Sequence, residues 1–456
     1  MHQYSKVFSS IADLRRGFLR VGLVVLGVTL ALLGVRSAEA ADETCFATPN
    51  DGALVYTSTT ASAVRDAVAA AGSGGTVKIA GYCAGAVNQL GTNQVAVITQ
   101  TLTLAGGYTT TNWTNAFPIT QPTTLDALLG GRVLFVSAAA IDITSLTIQN
   151  GSVNGDGAGI YSSSALTLTS AQVLSNSATG LGGGVYLGGG DLLITGTTFA
   201  NNVGTTGGGA VWQNANNAVV INARFERGTS DNVGGLVTLG TLDMANTTVL
   251  SNTTTGLNGG AMYADKQAVV TGGLFENNTS ALIGGGMVSN STLHMSGTQF
   301  ISNSAAHRGG GLFAYDIIYL TNTLFMSNTV ISGSPSGGGG GGLYAGSRAS
   351  LAGNTFVGNS ANSASVAAGG AAYLTSQSSD VNSVFQGNRG TGSTGNGGAI
   401  AALSHVTMTG SSFLSNTTTQ MGGGIFIRNV SNLVLSGTTF VAVSYTHLTL
   451  PTSDLV

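Results

Sequence analysis

A fixed spacing of about 25 residues constrains this chain more than any other feature, because a period in the 20–50 range marks a stack of identical supersecondary units. Gly284-Gly285-Gly286 is followed by two short apolar runs, the second ending in Phe300, then two residues and Asn303. Gly309-Gly310-Gly311, Phe325 and Asn328 repeat that unit. Glycine pairs or triplets recur from Gly182 to Gly424. The partner motif, an aromatic or Val with Asn three residues later, recurs at Asn176, Asn202, Asn252, Asn278, Asn303, Asn328, Asn359, Asn388 and Asn416. Phe225 breaks the series with Gly228 where Asn is due, and residues 332–342 lengthen one unit.

The residues between these marks say what each unit is. Positions seven and five before the Phe are apolar in pairs such as Leu192/Ile194, Leu293/Met295, Ile318/Leu320 and Val406/Met408. That alternation is a strand with one buried face. Gly196, Gly297, Gly410 and Gly437, three residues before the Phe position, suit a bend. The expected fold is therefore an all-β parallel solenoid. At about 4.8 Å per coil, about eleven coils make a rod of roughly 50 Å. Asn tolerates the left-handed turn conformation, and its amide both donates and accepts, so a stacked Asn row ties coil to coil. The glycines turn corners and do not signal phosphate binding, since no Lys-Ser/Thr follows them.

Composition supports a solenoid over ordinary globular domains. Charged residues are 7%, against about 25% in typical domains, and glycines number 70. Surface polarity must come from hydroxyls and amides. Residues 1–40 read as an export leader: Arg15, Arg16 and Arg20 precede the apolar run Val21–Val35, and Ala38-Glu39-Ala40 is a small-residue cleavage site near Ala40. The run is short for a membrane span. The general secretory route is expected, with Arg15-Arg16 also matching a twin-arginine signal. Removing the leader leaves 16 of 18 acids and 10 of 15 bases, a net charge near −6 with no basic patch for nucleic acid.

Residues 41–125 differ from the repeats. A helix over 60–71, capped by a hydroxyl residue and ended by Gly72-Ser73-Gly74-Gly75, is followed by strands at Thr76–Ala80 and Val95–Leu104. This segment is expected to cover the first coil as an N-terminal cap. Cys45 and Cys83 are the only cysteines. In an exported chain they read as a disulfide worth about 4 kcal/mol in the chain-entropy model; two buried thiols are the alternative. The repeats occupy 126–442. Residues 443–456 lack repeat logic and resemble sequencing-adapter read-through, so the natural chain is expected to continue beyond about residue 442.

The FxxN motif with Gly208-Gly209-Ala210, Gly259-Gly260-Ala261 and Gly397-Gly398-Ala399 resembles the repeat of the polymorphic outer-membrane proteins over about residues 130–440. More broadly the chain looks like the pectin-lyase-like right-handed parallel β-helix. The resemblance implies a surface or extracellular β-helix, in some relatives an adhesin displayed by a C-terminal barrel. It also implies where catalysis sits in enzymes of that fold: clustered acids for calcium, or two or three carboxylates on adjacent coils.

That chemistry is hard to find here. Asp191, Asp265 and Asp316 follow glycine motifs but not on consecutive coils. Asp243 and His294 share a position two coils apart, about 10 Å. Asp380 falls in an apolar slot, explained equally by a register slip past Val381 or by a buried acid. His294, His307 and His405 do not fall at metal-ligand spacing. The expectation is no catalytic residue, metal or cofactor. It is an adhesin-like or glycan-binding surface protein whose partner is an extracellular glycan or a host or neighbouring cell surface. It would meet a membrane only through its leader or an anchor beyond this sequence. A polysaccharide lyase or glycoside hydrolase and a passive surface-layer spacer are the alternatives. Binding would use exposed Thr, Ser and Asn rows and aromatics such as Tyr186, Trp212, Tyr263, Phe313 and Tyr344, though alternation favours core for each of these aromatics.

Overall fold

The computed structural model describes residues 44–137, 140–214, 216–256, 259–332, 339–362, 368–391, 397–428 and 432–443. Residues 1–40, read above as an export leader, and the tail from residue 444 lie outside the described residues.

Each repeat forms one coil with four short strands. In the coil that begins at Leu293 they are Leu293–Ser296, Gln299–Ile301, Ser304–Ala305 and Leu312–Ala314. We call the four stacks they build sheets I to IV. Every strand pairs in parallel with its equivalent one coil on, as Leu293 with Ile318, Phe300 with Phe325, Ser304 with Thr329 and Leu312 with Leu343. The alternation works as the spacing predicts. Leu293 and Met295 are buried while His294 between them is exposed. This is a parallel β-helix.

Sheet IV contains 14 strands, of which the first is an antiparallel hairpin partner and the other 13 stack in parallel. The stack is thus taller than the eleven coils expected from the motif. The difference lies in residues 75–136, which build two coils without the FxxN signature. Gly75–Ala84 serves two sheets at once. Its first half pairs with Leu102–Ala105 and its second half with Thr123–Asp126. Thr92–Ile98 then stacks on Arg132–Val136.

The first coil has a covered edge. Strand Cys45–Thr48 lies antiparallel on Gly75–Ala84, and Cys45 is bonded to Cys83 across that pair. Helix α1, Ser62–Ala70, buries Ala63, Val64, Ala67 and Val68. Its start has no side-chain cap, contrary to expectation: Ala61 holds the N-cap position. The chain is placed there by Ala61 N–H donating to the Ala84 carbonyl, so sheet contact replaces the hydroxyl cap. Gln100 Nε2 satisfies the other end, donating to the carbonyls of Val68 and Ala71.

Inside the coils two rows run along the stack. Phe275, Phe300, Phe325, Phe356, Phe385 and Phe413 are fully buried, and successive rings are stacked with centroids 4.7–5.0 Å apart. Beside them the Asn side chains bond head to tail. Asn278 Nδ2 donates to Asn303 Oδ1 at 2.9 Å, and Asn303 Nδ2 to Asn328 Oδ1 at 3.0 Å. Each Nδ2 also reaches a backbone carbonyl of the preceding coil, as Asn303 does to Phe275. Each Oδ1 also accepts a backbone N–H, as Asn303 does from Asn278. All four capacities of the buried amide are used. The left-handed backbone sits one residue earlier, at Ser302 (φ 54°) and Ser327 (φ 56°), because the Asn itself must aim its side chain inward. At Gly228 the row is interrupted. A Cβ there would lie 2.0 Å from the Gly234 carbonyl oxygen; the backbone N–H still bonds to Asn252 Oδ1 as at the other levels, and only the side-chain amide is missing.

The glycine triplet has three separate reasons. Gly309 adopts φ +60°, Gly310 lets the Gly341 carbonyl approach within 2.3 Å of its Cβ position, and Gly311 leaves 3.1 Å between that position and the ring of Phe325. Asp380 is the exception to the apolar slot. The register holds, pairing Asp380 with Leu351 and Met408, so no slip occurs. The acid is buried, with one carboxyl oxygen accepting from Ser383 and the other from Ser411, each at 2.5 Å. Burial pushes its pKa up against the opposing effect of those two hydroxyls.

Candidate functional site

The interior of the coils is filled, so a partner must meet the exterior. From Ile160–Ser162 to Ile425–Ile427 the sheet IV strands are three residues long with the middle residue pointing out of the coil, and Phe135 of Arg132–Val136 is in register with that residue. This places Phe135, Tyr161, Tyr186, Trp212, Tyr263, Phe313, Tyr344 and Tyr373 in one external row. The row is not uniformly free. Phe313 and Tyr373 are buried and Tyr344 nearly so, forming with Ile283, Val288 and Ala401 a small second core outside the coil. Phe313, Tyr344 and Tyr373 stack at 4.7 and 5.3 Å, which gives ring faces to each other and only edges to the surface. Tyr161 and Tyr186 stack likewise at 5.1 Å. Burial pushes Tyr373 up to about 12 and also raises Tyr344.

The turn from sheet IV to the next sheet I strand is different. Across three successive levels its first residue is Asp265, Asn290 and Tyr315, followed by Gly346. Asn290 Nδ2 donates to Asp265 Oδ1 at 2.8 Å, Tyr263 O–H donates to the same oxygen at 3.2 Å, and Lys266 Nζ lies 3.1 Å from Oδ2. Burial works to raise the Asp265 carboxyl. The donors Asn290, Lys266 and Tyr263 outweigh it, so the group sits below the usual carboxylate range. The same neighbourhood pushes Tyr263 up to about 12, through burial first and then the charge of Asp265. Tyr315 stands beside this cluster, 48% exposed, with its ring edge-on to Phe313 at 4.6 Å. The equivalent position at the next level is Gly346, which carries no side chain.

The arrangement offers a carboxylate, an amide, an ammonium and an open phenol ring within one turn region. It suits hydroxyl groups that donate and accept in pairs around an apolar ring face. It does not suit proton transfer near neutrality. A general base or acid works best with its pKa near the operating pH, and here the carboxyl is held low and the phenol high.

The other sequence candidates are dispersed. Asp191 is exposed and accepts from Asn217 of the next coil. Asp243 and His294 share the outer row of sheet I with Val269 between them. His405 is exposed on another turn, and Asp316 is half-buried beside Tyr315. Among the described residues no group of three or more His, Cys, Asp or Glu is placed to hold a metal ion. Tyr315, Tyr319, Asn290 and Lys266 carry no mark in the repeat spacing. The signal for the two tyrosines is an aromatic whose equivalent one repeat later is glycine or serine, Gly346 and Ser350.

No family model matches the chain and no curated protein matches it, so the outer-membrane repeat resemblance rests on the motif alone. Among solved structures the chain is similar to the A-module of mannuronan C-5 epimerase AlgE6 from Azotobacter vinelandii. The two are 14% identical, with a TM-score of 0.37, over 84% of this chain and 94% of that one.

Proposed function

We propose that this chain is an exported surface β-helix that binds a neutral glycan without turning it over, using Tyr315 with Asp265 and Asn290. The observation that carries the reading is the half-exposed Tyr315 ring beside a carboxylate and amide already hydrogen-bonded to each other. A pyranose presents an apolar C–H face, which packs on an aromatic ring, and a rim of hydroxyls. Asp265 Oδ2 and the Asn290 amide oxygen are acceptors for that rim. Lys266 is already paired with Asp265, so the carboxylate and the ammonium of this cluster offset each other. The thin charge of the whole surface points the same way.

The test is retardation of the purified chain in gels containing glucan, mannan, polygalacturonate or alginate, with release of reducing ends followed in parallel. We expect retardation by a neutral polymer, no new ends, and at least a tenfold loss of affinity in Tyr315→Ala at unchanged stability. Retention by none of the polymers would sink the reading. Depolymerisation abolished by Asp265→Asn or Asp316→Asn would replace it with an enzyme.

A further inference from the structure

We infer that Tyr319 is a second sugar-binding shelf of the same site, so that the ligand is an oligomer of at least two rings lying along one coil from the turn onto the sheet I strand; this rests on the glycan reading above. Tyr319 points outward from the sheet I strand Ile318–Thr321 and is 37% exposed. One face of its ring is covered by His294 of the preceding coil, with centroids 4.7 Å apart and planes within 7°. The other face looks towards Ser350, its register partner in the next coil, and then Ser379. A serine side chain is too short to cover a phenol ring. The row therefore drops from two stacked rings to two small hydroxyl residues in one step.

Tyr315 makes the same step over Gly346 four residues earlier. Four residues of extended chain span at most about 14 Å. Tyr319 thus opens a ring face along the axis, while the Tyr315 ring, turned 72° to the stacked Phe313, presents its face at a steep angle to it; the two sit at one level of the stack, joined by Asp316, Ile317 and Ile318. Elsewhere the outer row of sheet I carries Leu193, Val219, Asp243 and Val269, none of which offers a ring. The Ser350 and Ser379 hydroxyls form a floor able to bond a sugar rim. A single pyranose engaging Tyr315 leaves Tyr319 unused, whereas a linear oligomer crossing from the turn onto sheet I meets both.

The test uses β-1,4-linked glucose, mannose and N-acetylglucosamine oligomers of one to six units, titrated into the full chain by calorimetry and ligand-observed magnetic resonance. We expect affinity in the binding series to rise at least tenfold between one and three units. Tyr319→Ala should erase that rise while leaving the monomer's weak binding intact, and Tyr319→Phe should retain it. Tyr315→Ala should weaken binding at every length. A length dependence that survives Tyr319→Ala, or no length dependence at all, overturns the second shelf while leaving the glycan reading standing. Failure of all three series at every length overturns both.

Discussion

Two aromatic rows climb the same coils of this molecule and differ in almost every respect. The interior row is phenylalanine at six successive levels, fully buried, with rings parallel within about 12°. The exterior row mixes Tyr, Trp, Phe, Val and Ala, is buried in places and half-exposed in others. The interior ring has one environment to satisfy, set by the coils above and below. The exterior ring is covered only where neighbouring loops happen to reach it. Uniformity in the first row reports packing. Departures on the outside, such as Tyr315 over Gly346, are where a partner can be recognised.

The contrast can be broken by experiment. Phe325→Ala should cost about 3–5 kcal/mol, since it removes a buried ring between two others, whereas Tyr315→Ala should stay within about 0.5 kcal/mol. Equal shifts in urea midpoint would erase the distinction between the rows. The asparagines allow a second, smaller comparison. Asn303→Ala strips partners from Asn278, Asn328 and the Phe275 carbonyl. The loss should be about 3 kcal/mol because buried polar groups are left unpaired. Asn290→Ala, on the exterior turn, should cost less than about 0.5 kcal/mol. A stable Asn303→Ala chain would mean the ladder is ornament.

The smallest effect concerns Asp380, a polar residue inside the apolar slot. Its carboxyl is pushed up by burial, so the folded state holds its proton more tightly than the unfolded chain. Its contribution is complete below the unfolded carboxyl value of about 3.9 and is lost as pH rises from there through the folded value. Asp380→Asn should remove that decline. Urea midpoints of the two chains should draw apart between pH 4 and pH 8, with the variant the more stable at the upper end. A constant difference across that range would show that folding leaves the Asp380 carboxyl unshifted.

How much of this was readable beforehand follows from what a repeat can encode. The Phe and Asn positions each recur because each coil meets the same interior, so a single unit announces both. The first two coils lack that motif. Their interior is built by Val77, Ile79, Val95, Ile98, Leu102 and Leu104, an apolar set with no punctuation. Period-2 alternation located Tyr263, Phe313 and Tyr344 on a strand. It could not show that the outward residue of sheet IV is roofed over at Phe313 and open near Tyr315, since that depends on loops of adjacent coils. The partners of Asp380 lie 3 and 31 residues away, a juxtaposition that only the register creates.

The asparagine row has one more consequence, for length. Asn303 and Asn328 are 25 residues apart, while Asn328 and Asn359 are 31 apart, yet both amide contacts measure 3.0 Å. The ladder measures height and is blind to contour. Six further residues between two levels leave the pitch unchanged. The molecule therefore grows by counting, one asparagine at a time. A whole coil cut out or copied between two of them leaves every remaining level at its former step, so reach becomes a quantity set in whole numbers, independent of what each level displays on its outer face.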